Sequence, residues 1–114
     1  MTAPPVRGEV WLADLNPTRG HEQAGQRPVL VVSDDLFNRG PADLVIILPV
    51  TSTLRPVPSH IRLVPPEGGL KNESAALCEA IRSIAKVRLI RRLGAVGPAR
   101  MRLVEDALRI LLRL

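Results

Sequence analysis

Two apolar runs constrain this chain most. "RPVLVVS", residues 27–33, and "DLVIILPV", residues 43–50, are nearly continuous and β-branched, as strands buried on both faces are. "GEVWLADL", residues 8–15, alternates well enough for another strand, with Val10, Leu12 and Leu15 against Trp11 and Ala13 on the other face, before "NPTRG" breaks it. Between the apolar runs "DDLFNRG" reads as one helical turn, capped by Asp34 or Asp35 and stopped at Gly40. "SHIRLV", residues 59–64, looks like a fourth strand and "SAALCEAIRSI", residues 74–84, like a fifth, with the turn-rich "PPEGGLKNE" between them. The last element changes period. From Pro98 onward Met101, Val104, Leu108 and Leu111 recur at helical spacing, charged residues take other positions, and Gly97-Pro98 suits a helix start.

One long helical pattern is too few for the crossovers of a doubly wound parallel sheet. The eleven prolines, mostly in loops and beside strands, suit an irregular small barrel better than a long regular sheet. The expected fold is therefore mainly β with α: a small, strongly bent open β-barrel of five short strands, with a C-terminal amphipathic helix laid on it. A chain of 114 residues is the size of one domain, so residues 1–114 are expected to form a single unit. Sixteen Lys+Arg against eleven Asp+Glu give a net charge of +5, which favours a polyanionic partner or, more simply, keeps the surface soluble. The lone Cys78 excludes an internal disulfide framework. "MTAPPV" has no apolar core of a signal peptide, and no apolar run approaches the ~20 residues that span a bilayer. These features predict a cytoplasmic, soluble domain with no membrane partner.

The motifs exclude several chemistries. His21 and His60 stand in no H-x-E or H-x-x-x-H spacing, and no C-x-x-C occurs, so no zinc site is expected. Asp34-Asp35 can be read as a magnesium site, but adjacent carboxylates before a helical turn more often cap it. His21, alone in a loop, reads either as a general base or as a solvated side chain. With no P-loop, Rossmann glycine pattern or G-x-S-x-G, no cofactor is expected. What remains is the polar loop holding Glu22, Gln23 and Arg27, directly before one buried strand, and "PVTST" at the end of another. If those strands pair, Arg27 and Thr51 can point to one rim, where a guanidinium fork and a hydroxyl suit a phosphate. The alternative is an Arg27–Glu22 surface pair and a threonine that only ends a strand. Trp11, in an alternating strand, reads as core or interface rather than as a base-stacking platform.

One longer string is more specific than any of these. "RGEVWLADLNPTRGHEQAGQRPVLVVS", followed by "VIILPVTST" and "AIRSI", resembles the MazF/PemK family of toxin–antitoxin endoribonucleases over residues 7 to about 112. The most specific part is G-[DE]-[IV]-W, then P, then G-x-E-Q-x-G-x-R-P, carried here by Gly8-Glu9-Val10-Trp11, Pro17 and Gly20 through Pro28. The resemblance implies an SH3-like (CcdB/PemK-like) barrel with a C-terminal helix, a homodimer, an acidic MazE-like antitoxin, and metal-independent, sequence-selective cleavage of single-stranded RNA. The family's arginine before proline falls on Arg27, its strand-end threonine on Thr51 and its loop glutamate on Glu22. Many members carry Gln before the [IV]-[KR]-S-I segment, where this chain has Ala80, so base specificity does not transfer.

RNA supplies its own nucleophile, the 2′-hydroxyl, so a cleaving protein has to position the phosphate, take one proton and stabilise charge. Arg27 is expected to clamp the phosphate and Thr51 to hydrogen-bond it, giving 2′,3′-cyclic phosphate and 5′-hydroxyl ends. Glu22 is the first candidate for proton acceptor and His21 the second. Arg19, His21, Gln23, Ser52, Arg55 and Arg82 are the candidates for holding RNA; with Trp11 and Phe37 the only aromatics, arginine planes can replace stacking rings. Two rivals remain. A CcdB-like gyrase toxin acts through an aromatic C-terminal tail, which "ILLRL" lacks, and a non-catalytic RNA-binding module leaves RNA intact.

Overall fold

Residues 3–16 and 25–114 are described by the computed structural model. Its elements are β1 (Glu9–Asp14), β2 (Gln26–Val31), α1 (Asp35–Asn38), β3 (Leu44–Thr51), β4 (His60–Leu63), β5 (Ser74–Leu77), β6 (Arg82–Ala85), β7 (Leu89–Ala95) and α2 (Pro98–Leu112). The strands form one antiparallel sheet in the order β4-β5-β3-β2-β1-β7, with β6 also on β3; the sheet is bent but not closed.

The two apolar runs are continuous because both of their faces are covered. In β2 and β3, Val29, Val31, Val45 and Ile47 face one cluster with Trp11, Ala13, Leu15 and Ile84. Leu30, Val32, Leu48 and Val50 face the other, which Val10, Leu63, Cys78, Met101 and Val104 complete. Leu15 therefore sides with Trp11 and Ala13, not with Val10 and Leu12. Strict two-residue alternation requires this, since 11, 13 and 15 fall on one face and 10 and 12 on the other, and the alternation carries past the end of β1. Trp11 is 7% exposed and belongs to the core, its Nε1 donating to Glu9 Oε1 at 3.0 Å.

The expected fifth strand is two. Cys78–Ala80 forms a 3₁₀ turn, after which the chain resumes as β6. Both pieces pair with β3: β6 takes Leu44–Ile47 and β5 takes Val50 and Thr51. One partner strand that continues past a turn is invisible to local pattern reading. β7, a further strand, pairs with β1 through two register shifts and carries exposed Ile90, Arg91 and Arg92, so neither alternation nor a buried run marks it. The turn Glu67–Gly69 lies directly on it. Gly69 sits at φ +69°, and a Cβ there would fall 1.9 Å from the Leu93 carbonyl oxygen, so only glycine lets the two backbones meet.

Both aspartates before α1 are engaged locally. Asp34 is the N-cap, accepting from the Leu36 N–H at 2.9 Å, and Asp35 accepts from the Arg7 N–H at 2.8 Å. α2 starts at Gly97-Pro98 and buries Met101 and Val104, with Leu108 partly buried; Leu111 is 44% exposed, so the apolar stripe outruns the sheet by about a turn. No helix among the described residues is long and apolar enough to cross a membrane.

Candidate active site

Strand pairing builds the site. β2 and β3 pair with Val29 opposite Pro49. The pairing ends there, and two residues farther along each strand stand Arg27 of β2 and Thr51 of β3, which face one cavity. Pro28 locks its own φ and biases Arg27 toward the extended backbone it adopts in β2, which fixes where the guanidinium begins. Thr51 ends β3 and is largely buried. Its Oγ1 accepts from the Thr53 N–H at 3.0 Å, which pins the hydroxyl and leaves its proton to donate outward.

Arg27 and Thr51 line one cavity of about 380 Å³ together with Thr53, Arg55, His60 and Glu79. The last two come from the β4–β5 side. His60 opens β4 opposite Leu77 of β5, and Glu79 lies in the 3₁₀ turn that follows. Their side chains meet at 2.7 Å, His60 Nε2 to Glu79 Oε2, while the Ser59 hydroxyl donates to Oε1 at 2.6 Å. The His60 side chain is 8% exposed and its buried Nδ1 has no partner among the described residues. In the neutral ring the proton therefore belongs on Nε2, donated to Glu79, because a buried Nδ1–H would have no acceptor. Burial pushes the Glu79 carboxyl up, but hydrogen bonds from Ser59, its own backbone N–H and His60 outweigh it and hold the group below the ordinary carboxylate range. Beside it, burial and the Glu79 charge push the Cys78 thiol up to about 11, so this sulfur is no nucleophile.

A second cavity of about 320 Å³ adjoins the first, and Arg27 lines both. Besides Arg27, its polar lining is Ser52, Lys71, Asn72, Ser74 and Arg91, and Leu12 is among its apolar residues. Among the described residues it has no carboxylate.

The predicted residues thus divide. Arg27, Thr51 and Arg55 come together in the first cavity and Ser52 lines the second. Arg82 lies on β6 opposite Ile47, in neither lining. Arg19, His21, Glu22 and Gln23 lie outside the described residues, and so does the alternative Arg27–Glu22 pair. Sequence reasoning missed His60 and Glu79 as site residues. The one available signal was Glu79 itself, the lone carboxylate inside the mostly apolar "SAALCEAIRSI". No group of three or more His, Cys, Asp or Glu side chains among the described residues is placed to hold a metal ion.

Residues 6–112 match the family model of PemK-like, MazF-like toxins of type II toxin–antitoxin systems. The chain belongs to that family. This MazF-like chain is 40% identical over 109 residues to the endoribonuclease MazF9 of Mycobacterium tuberculosis, covering 91% of itself and 92% of that protein. Its fold is similar to the crystal structure of MazF from Deinococcus radiodurans, with a TM-score of 0.86, 28% identity and coverage of 99% and 100% of the two chains. A mycobacterial endoribonuclease in complex with its cognate antitoxin is also similar, at TM-score 0.80, 30% identity and 96% of each chain.

Proposed function

We propose that this MazF-like chain is the toxin of a type II toxin–antitoxin pair, an endoribonuclease that cuts single-stranded RNA by internal attack of a 2′-hydroxyl. The observation that supports the reading is that Arg27 of β2 and Thr51 at the end of β3 line one cavity. The guanidinium presents a planar, permanently charged fork to the phosphate, and the threonine hydroxyl donates one further hydrogen bond to a phosphate oxygen. As the 2′-oxygen bonds to phosphorus, negative charge grows on the non-bridging oxygens, and fixed donors at that point favour the transition state over the substrate. Arg19, His21, Glu22 and Gln23, which precede β2 in the sequence, and Arg55 of the cavity lining supply further RNA contacts. Products are a 2′,3′-cyclic phosphate and a 5′-hydroxyl, with no metal required.

The active form is a homodimer in the cytoplasm, and an acidic, partly disordered segment of the antitoxin competes with RNA for the same basic surface. Purified protein incubated with a mixed RNA pool in EDTA, followed by sequencing and chemical typing of the ends, tests the reading. Cyclic phosphate and 5′-hydroxyl ends at a recurrent sequence are expected. Replacing the single 2′-hydroxyl at that site by hydrogen should abolish cleavage while leaving binding nearly intact, since phosphate contacts dominate affinity. Intact RNA would favour a binding module or a gyrase-directed toxin. Cleavage of the deoxy-substituted strand, or 5′-phosphate ends that vanish on chelation, would show water activated by a metal instead.

A further inference from the structure

We infer that the second cavity is a nucleobase subsite beside the scissile phosphate that selects a keto base, uracil or guanine, and that Asn72 is its specificity-determining residue. This rests on the endoribonuclease reading and deepens it by naming the base required next to the cut. The place follows from Arg27, which lines both cavities. With the scissile phosphate on that guanidinium, the adjoining cavity of about 320 Å³ receives one of the two nucleosides that share this phosphate.

The walls suit a base better than a second phosphate alone. Leu12, Val50, Leu70 and Leu93 give the cavity an apolar side, with Val50 and Leu70 buried. A flat ring covers such a surface, whereas a phosphate would lose its water against it without gaining a partner.

The hydrogen-bonding groups are one-sided. The Ser74 hydroxyl donates to the Asn72 carbonyl at 2.9 Å, so toward the cavity it can only accept. The side chains of Ser52, Lys71, Asn72 and Arg91 make no hydrogen bond or ion pair with another among the described residues. The carboxylates nearest in sequence are engaged elsewhere: Glu67 accepts from the Gly97 N–H at 2.9 Å and pairs with Arg100 at 3.6 Å, and Glu73 pairs with Arg62 at 3.1 Å. The cavity therefore offers many donors in a positive field and few acceptors, all of them neutral.

Uracil and guanine both carry a carbonyl beside a ring N–H, and the Asn72 amide matches that pair, its NH₂ donating to the carbonyl and its Oδ1 accepting from the ring. By flipping, an amide alone can also match the amino group and ring nitrogen of adenine or cytosine. The charges of Lys71 and Arg91 break the tie. A carbonyl meets their field with its negative end, an amino group with its positive end.

The test maps the cuts made by wild type, Asn72→Ala and Asn72→Asp in a randomised single-stranded RNA pool. Single-turnover rates follow on four RNAs that differ only in the selected base flanking the cut. Asn72 is exposed in the turn before β5, and the bond from Ser74 to its main-chain carbonyl survives either change, so thermal unfolding should match wild type. Wild type is expected to cut the RNAs with U or G there about 10–100-fold faster than those with A or C. Asn72→Ala should narrow that ratio to a few-fold. Asn72→Asp, which can only accept, should turn the preference toward A or C, with preferences at all other positions kept. Cleavage by wild type with no preference for a keto base at either nucleotide flanking the cut overturns this assignment alone and leaves the cavity to the backbone. So does a wild-type preference kept by both variants, or a loss of rate equal on all four RNAs, which would show a merely structural role. Should a variant fail to fold, the wild-type ratio and the other variant decide by the same criteria. RNA left intact by the wild-type chain would instead overturn the endoribonuclease reading, and this assignment with it.

Discussion

The two cavities that meet at Arg27 are made of different chemistry. The first combines guanidinium groups with a pinned hydroxyl and an oriented carboxylate–imidazole pair. The second offers Ser52, Asn72, Lys71 and Arg91, donors and positive charge with no carboxylate among its described residues. Breaking a phosphodiester needs a group that takes a proton; holding the neighbouring nucleotides needs only charge and hydrogen bonds. On the proposed endoribonuclease reading, the difference separates reaction from grip along one RNA strand, with Arg27 lining both cavities.

Substitution of Arg27 should have the largest effect. Arg27→Lys keeps the charge but loses the planar fork that faces both cavities, and is expected to reduce cleavage by about 10³-fold or more with the fold retained. Single-turnover rates beside a thermal unfolding curve measure it. A near wild-type rate would move the reacting phosphate elsewhere and dissolve the comparison.

Next comes a residue of the first cavity alone. Thr51→Ala removes one donor to the phosphate and should lower the single-turnover rate about 10²–10³-fold while changing RNA affinity little. Thr51→Ser, which keeps the hydroxyl that accepts from the Thr53 N–H, should recover much of the rate. If Thr51→Ala instead weakened binding and left the bound-state rate unchanged, the first cavity would be part of the grip.

The difference between the cavities also marks what could be read from the sequence. β1 to β4 and α2 were legible because burial on one or two faces writes itself into residue spacing. Arg27 and Thr51 were legible as a pair because they flank strands that neighbour each other in both sequence and sheet. β7 was not, since Arg91 and Arg92 interrupt any apolar pattern and its pairing partner is the distant β1. The break at Cys78–Ala80 was hidden for a related reason: β5 and β6 share β3, a tertiary arrangement that local propensity does not report. His60 and Glu79 stand 19 residues apart and meet only through β4–β5 pairing, so neither stood out alone. Lys71, in a turn, and Arg91, on β7, share a cavity for the same kind of reason.

The smallest effect belongs to the second cavity. If Lys71 and Arg91 contact phosphates flanking the cut, Lys71→Ala and Arg91→Ala should each weaken RNA binding only a few-fold at moderate salt, and each should flatten the plot of log affinity against log salt by about 0.7, one counterion-releasing contact on a single strand. The bound-state cleavage rate should stay near wild type, because neither side chain lines the cavity that holds Thr51, His60 and Glu79. The two substitutions should add, since each charge acts through its own phosphate. Titrations of the uncleavable deoxy analogue at several salt concentrations, with single-turnover rates at saturating enzyme, separate the two quantities. An unchanged salt slope would show that RNA leaves Arg27 by another route, and a large fall in the bound-state rate would mean that this cavity, too, shapes the transition state.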